Sequence, residues 1–296
     1  MSTDSLAVSG VIPPVVTAFD REGELDEAAT VAHAEFVLEG GASGVFALGT
    51  NGEFPLLTAD ERQRVISALA TGIDAPVLAG VGHPSTRATV AEAHHAERAG
   101  VAGVVVVTPS YYPVDDRGLI AHYRAVTEAV EVPVYAYNIP SRTGNALSLD
   151  ALAELADLSW FAGFKDSSKD VPWLAQAVDA HPGLTALVGS DSLLLSGLDL
   201  GCDGVVSAVA NVFPELVSEL YAAHRAGDRE LARKRQSEVF EIRRALKAGP
   251  YLAGVKTALA LRAPGFDVGG LRAPLRTMDE GERNQLEATF RELGVL

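Results

Sequence analysis

Short runs of β-branched and small apolar residues alternate with longer amphipathic stretches as far as residue 210, and this alternation restricts the fold more than any other feature. The runs fall at 11–17, 44–48, 76–81, 103–108, 133–138, 161–165, 186–189 and 204–208. Helical patterns lie between them, for example at 26–39, 59–70, 86–99, 118–130 and 150–156, with Gly40-Gly41 and Gly100 at the stops. Eight βα units at spacings of roughly 20–30 residues predict a closed parallel (β/α)8 barrel, the TIM-barrel architecture. The rival, an open doubly wound sheet, usually carries a glycine-rich phosphate turn after its first strand. Here that turn reads Thr17-Ala18-Phe19-Asp20, so the barrel is preferred. From Pro214 only helical patterns remain, at 215–225, 229–247, 252–261 and 280–293. The reading is therefore a barrel over 1–212 and a helical extension over 213–296, packed together as one unit because no Pro-, Gly- or Ser-rich linker parts them.

Charge and cysteine content exclude several functions. The 39 acidic against 24 basic side chains give a formal charge of −15, which repels a phosphate backbone, so nucleic acid is not an expected partner. The same acidity suits concentrated salt but is also found in ordinary enzymes. One cysteine, Cys202, excludes an internal disulfide and any CxxC motif and fits a reducing cytoplasm. Residues 1–10 carry neither a basic nor an apolar leader segment, and no apolar run reaches membrane-spanning length. A soluble cytoplasmic enzyme is expected.

In a barrel the chemistry sits where strands end, so polar residues at those points are the first candidates. Lys165 closes an otherwise apolar strand. An ammonium held in the barrel mouth is desolvated, which leaves neutral amine to attack a carbonyl. The alternative is a lysine that reaches the rim and pairs with Asp166. Tyr137 ends the preceding strand, where a phenol could relay protons to a carbinolamine or could simply fill the barrel. Gly49-Thr50-Asn51-Gly52 suits a carboxylate, since glycines let backbone N–H groups approach while the Thr and Asn side chains donate. Turns of that composition are also common without a ligand. Arg142 offers a guanidinium fork for a second carboxylate, or pairs with an acid at the rim. His94 and His95 show no metal-ligand spacing and read as a solvated helix face.

Taken in order, these strand ends resemble the dihydrodipicolinate synthase and N-acetylneuraminate lyase family. The resemblance runs from Gly10-Val11-Ile12-Pro13-Pro14 through the 49–52 loop, Tyr137-Asn138-Ile139-Pro140 and Lys165 to Gly204-Val205-Val206-Ser207 and the helical tail. It implies Lys165 as a Schiff-base lysine, Tyr137 as proton shuttle with Thr50, and Thr50 with Asn51 as a clamp on the pyruvate carboxylate. Val206 would border the substrate. Tyr111 matches a tyrosine lent to the proton relay by a neighbouring subunit, in a homotetramer built as a dimer of dimers. No cofactor and no metal is implied. Synthases of the family usually carry two threonines in the loop, where this chain has Thr50-Asn51, and a Glu after the lysine, where it has Asp166-Ser167-Ser168. The run Thr50-Asn51-Gly52-Glu53-Phe54-Pro55 is similar to 4-hydroxy-2-oxoglutarate aldolases, and Ser167 and Ser168 could meet the hydroxyls of a 2-keto-3-deoxy sugar acid. Ser141-Arg142-Thr143-Gly144 is similar to the synthases instead. The first expectation is 4-hydroxy-tetrahydrodipicolinate synthase, acting on pyruvate and aspartate semialdehyde, with the two aldolase activities as alternatives.

Overall fold

The computed structural model describes residues 8–263 and 267–296. Eight parallel strands are present: β1 (Gly10–Val11), β2 (Val45–Ala47), β3 (Val77–Gly80), β4 (Gly103–Val107), β5 (Val134–Asn138), β6 (Phe161–Asp166), β7 (Thr185–Val188) and β8 (Gly204–Val205). They pair in the order β1-β8-β7-β6-β5-β4-β3-β2. The remaining seam is stitched by single backbone bonds, Val15 N–H to Phe46 O at 3.1 Å, Phe46 N–H to Pro13 O at 2.9 Å and Ser43 N–H to Val11 O at 2.8 Å. The expected (β/α)8 barrel is the observed fold.

The first strand is much shorter than the 11–17 run. Pro13 and Pro14 lack the N–H that a ladder needs, so regular pairing stops at Val11 and the chain continues as an irregular seam. The last strand likewise stops at Val205, because Ser207 turns its hydroxyl to the carboxylate of Asp191, 2.6 Å away.

Helices α1 (Glu27–Glu39), α2 (Ala59–Gly72), α3 (Thr86–Ala99), α4 (Asp116–Thr127), α5 (Pro140–Thr143), α6 (Leu149–Ala156), α7 (Val171–Ala180), α8 (Leu194–Asp199) and α9 (Pro214–Arg225) follow strands of the barrel. Their starts are written in the sequence. Asp26, Asp115, Ser148 and Asp170 each accept a backbone N–H at the N-cap, and Thr58 with Glu61 forms a full capping box before α2. Gly100 ends α3 at φ 85, a conformation that costs glycine nothing. Three more helices, α10 (Arg229–Ala245), α11 (Tyr251–Arg262) and α12 (Glu280–Glu292), complete the chain. Val239, Ile242, Leu286 and Phe290 from α10 and α12 belong to the same apolar core as the strands and barrel helices. Among the described residues no helix is long and apolar enough to cross a membrane. The leaderless reading of residues 1–10 falls mostly outside the described residues.

A second, smaller cluster fills the barrel axis: Ile12, Phe46, Leu78, Val105, Tyr135, Tyr137, Ile139, Leu187 and Val206. Along β5, β6 and β7 the register aligns Tyr137 with Lys165 and Lys165 with Leu187. Since Tyr137 and Leu187 both point to the axis, Lys165 points there too.

Candidate active site

Lys165 is 4% exposed. Its Nζ lies 3.8 Å from the centroid of the Tyr137 ring and 4.7 Å from that of Phe46. Burial holds the ammonium below its ordinary pKa, and Tyr137, Asp191 and Asp166 oppose this without reversing it. The rim pairing with Asp166 does not form. The Asp166 carboxylate instead accepts from Asn138 Nδ2 at 2.8 Å and from Ser168 Oγ at 3.0 Å. That bond also engages the Ser168 hydroxyl.

Tyr137 is equally buried. Burial pushes its phenol up, but the Lys165 charge and hydrogen bonds with Thr50, Ser167 and Lys165 outweigh this and leave it below its ordinary value. The Tyr137 and Thr50 hydroxyls are 3.5 Å apart, at the outer limit of a hydrogen bond. Ser167 also donates to Gly189 O at 3.0 Å. Lysine, phenol and the two hydroxyls thus form one connected set around an apolar barrel axis, and Val206 belongs to that axial cluster. Such a set can form an imine and move the protons that imine formation requires.

Thr50, Asn51 and Gly52 form a single 3-10 turn after β2. Gly52 O accepts the Thr17 hydroxyl at 2.7 Å, which ties the turn to the barrel seam. Asn51 is 4% exposed, and its side-chain nitrogen is buried without a hydrogen-bond partner among the described residues. A buried amide donor left open is free to meet an acceptor brought into the site.

Above Tyr137 opens a cavity of about 360 Å³, with Thr50, Phe54, Pro84, Val107, Ser110, Ile139, Arg142 and Leu252 among its lining residues. Its walls are mainly apolar, and Arg142 contributes an exposed guanidinium with no ion pair among the described residues. Tyr111 does not fold back on its own site. It is 86% exposed, packs edge-to-face on Tyr112 with ring centroids 5.0 Å apart, and adopts φ 80. Asn145 holds that loop, donating to Pro109 O at 2.7 Å and Tyr112 O at 2.8 Å.

Two neighbours of Lys165 escape the sequence reading. Asp191, 5% exposed after β7, accepts from Ser207 at 2.6 Å and from the Tyr251 hydroxyl of α11 at 3.1 Å. The strand-end rule that singles out Lys165 applies to Asp191 as well. A Cβ on Gly189 would sit 2.7 Å from Lys165 Cε and 2.3 Å from Ser167 Oγ, so only glycine lets the lysine lie flat there. His95 differs from expectation, since its Nε2 pairs with Ser67 Oγ at 3.0 Å between α2 and α3 rather than facing solvent. Among the described residues no group of three His, Cys, Asp or Glu is placed to hold a metal.

Residues 7–293 match the model of the dihydrodipicolinate synthetase family. The chain belongs to that family. Over 297 residues it is 61% identical to an uncharacterised DapA-like lyase of Halobacterium salinarum, covering 100% of this chain and 97% of the relative. It is 35% identical to the 4-hydroxy-tetrahydrodipicolinate synthase of Methanosarcina barkeri over 289 residues, 97% of this chain and 99% of that one. Among solved structures, the prophage protein YagE of Escherichia coli K12, a dihydrodipicolinic acid synthase family member crystallised with pyruvate, superposes with a TM-score of 0.93 at 32% identity, covering 97% of this chain and 99% of that one. The family resemblance carried by the strand ends therefore extends across the whole barrel and its helical tail.

Proposed function

We propose that the protein is a class I, Schiff-base lyase of the dihydrodipicolinate synthetase family, with Lys165 as nucleophile. The observation that carries this is a buried lysine that meets a phenol and two aromatic faces where an ion pair would need a carboxylate. Neutral Lys165 adds to the C2 ketone of pyruvate, and the carbinolamine hydroxyl leaves as water with a proton relayed through Tyr137 and Thr50. Loss of a C3 proton from the iminium gives an enamine whose C3 attacks an aldehyde carbon. Hydrolysis then returns the amine. Thr50 and the open Asn51 amide hold the pyruvate carboxylate, which supplies orientation.

Our first choice of acceptor is aspartate semialdehyde, making the enzyme a 4-hydroxy-tetrahydrodipicolinate synthase. The cavity favours a short acceptor with a carboxylate, because Arg142 is its unpaired cation and its walls are apolar. The second reading, a 4-hydroxy-2-oxoglutarate or 2-keto-3-deoxygluconate aldolase, is favoured by Asn51. For the polyhydroxy acid the hydroxyl partners are largely engaged: Ser168 with Asp166, and Asp191 with Ser207 and Tyr251. We further propose a cytoplasmic homotetramer in which Tyr111 enters a neighbour's site, consistent with its exposure and its fixed left-handed backbone.

Borohydride reduction with pyruvate should add one pyruvate-derived group per chain, on Lys165. Labelling of another lysine would overturn the mechanism. Arg142→Ala should keep that labelling and lose roughly 10–100-fold in kcat/KM for aspartate semialdehyde, the scale of one hydrogen bond to a charged group. Faster wild-type turnover of glyoxylate or glyceraldehyde would move the assignment to the aldolases.

A further inference from the structure

The chemistry above makes no use of the charges that join the 50–52 turn to the C-terminal extension. Glu53 follows that turn directly, holds a left-handed backbone at φ 54, and has a fully buried side chain. A non-glycine residue in that conformation must be held by its surroundings. Lys256, from α11, reaches across to place Nζ 2.8 Å from Glu53 Oε1 and donates to Gly270 O at 2.6 Å. Arg272 donates its backbone N–H to Glu53 Oε2 at 2.8 Å. Its guanidinium reaches Glu61 at 2.7 Å and Gly23 O at 2.8 Å, while Lys256 and Arg272 both lie 4.5 Å from the Phe19 ring. Both carboxylate oxygens of Glu53 are therefore gripped from the extension, and the Thr17 hydroxyl, donating to Gly52 O, fastens the same end of the turn to the barrel seam. A buried pair of this kind is weak as a source of stability compared with apolar side chains, but it is directional.

We infer that Lys256 is a positioning residue for the 2-oxo acid: through Glu53 it fixes the turn that presents Thr50 and Asn51 to the substrate carboxylate. Lys256 itself touches neither substrate nor the reacting atoms. The inference rests on the Schiff-base reading of Lys165, and the two can fail separately.

The test is reductive trapping of pyruvate on Lys165, followed by intact-mass spectrometry across a range of pyruvate concentrations. It compares wild type with Lys256→Met, Lys256→Arg and the charge-free pair Glu53→Gln/Lys256→Met, which keeps the experiment interpretable if Lys256→Met alone does not fold. The half-saturating pyruvate concentration should rise at least about tenfold in Lys256→Met or in the double variant, while trapping at saturation still reaches one group per chain. Lys256→Arg should recover most of the affinity. A general loss of packing would instead lower the maximal extent of trapping and would not respond to Arg. Half-saturation within twofold of wild type in a folded variant, or a lower maximum with unchanged half-saturation, overturns the inference. If wild type forms no pyruvate adduct, the reading of Lys165 falls first and this inference falls with it.

Discussion

Of the chain's five lysines, Lys165 and Lys256 are buried, and the protein treats them in opposite ways. Both are desolvated, and burial lowers both pKa values. Lys256 is given a carboxylate at 2.8 Å and a carbonyl at 2.6 Å, which favour its charged form and make it a fixed cation. Lys165 is given a phenol and aromatic faces but no carboxylate in contact, so burial keeps its pKa below the ordinary value. Burial alone therefore does not distinguish the two lysines; a carboxylate in direct contact does, present at Lys256 and missing at Lys165.

The sharpest way to break this comparison is to remove each lysine in turn. Lys165→Ala should abolish borohydride labelling and turnover while leaving stability nearly unchanged or raised, because no carboxylate is directly ion-paired with it and Asp166 and Asp191 keep their own hydrogen bonds. Lys256→Met should keep labelling at saturating pyruvate but cost about 3–5 kcal/mol in denaturant unfolding, since Glu53 stays buried without its cation. If the two variants lose similar stability, Lys165 is paired in a way the contrast denies.

Tyr137→Phe removes the proton carrier and keeps the ring beneath Lys165. It should lower the rate by roughly 10²–10⁴-fold while the imine still forms at long times. A loss below tenfold would transfer the relay to another group.

Gly189→Ala tests whether the position of Lys165 matters as much as its ionisation. The new methyl must displace Lys165 Cε and Ser167 Oγ, from 2.7 and 2.3 Å. We expect trapping to slow by about 10–100-fold, the scale of a misplacement near 1 Å, with a modest fall in melting temperature. An unchanged trapping rate would mean that the lysine finds its geometry from elsewhere.

Much of this is legible in the sequence itself. Strand runs such as 103–108 and helix starts such as Asp26 and Thr58 are local signals, and the strand-end rule led to Lys165, Tyr137, Thr50, Asn51 and Arg142. What stayed hidden depends on sequence separation. Glu53 and Lys256 meet across the fold, and no periodicity couples a barrel turn to a helix two hundred residues later. Asp191 was within reach of the strand-end rule, but its partners Ser207 and Tyr251 were not. The early end of β1 could be read from Pro13-Pro14, whereas the backbone bonds that close the seam could not.

The smallest effect concerns buried bases with no role in the site, and it extends the lysine contrast to groups that titrate near neutrality. Burial lowers His33 to about 4 against a hydrogen bond with Asn211 O, and it lowers His122 to about 4. His122 bonds Thr86 Oγ1 through Nδ1 at 2.8 Å and leaves Nε2 buried without a partner among the described residues. Both rings are neutral in the folded state, while the unfolded chain protonates them below about 6.5. Their contribution is complete above that pH and is lost as pH falls towards 4. Glu92 works in the opposite direction. Burial raises it to about 7 even though Arg62 lies 2.5 Å away, so its contribution is complete below the unfolded value of 4.5 and is lost as pH rises through 7. Between pH 6.5 and 4.5 two histidines therefore oppose one carboxyl, and net stability should fall by about 1–3 kcal/mol, each pKa unit being worth about 1.4 kcal/mol. Urea unfolding at closely spaced pH values measures this. His122→Gln should flatten the decline, and Glu92→Gln should steepen it. A Glu92→Gln profile flatter than wild type would show that Glu92 stays ionised by Arg62 across the range, which would make that pair a second case of the compensation seen at Lys256.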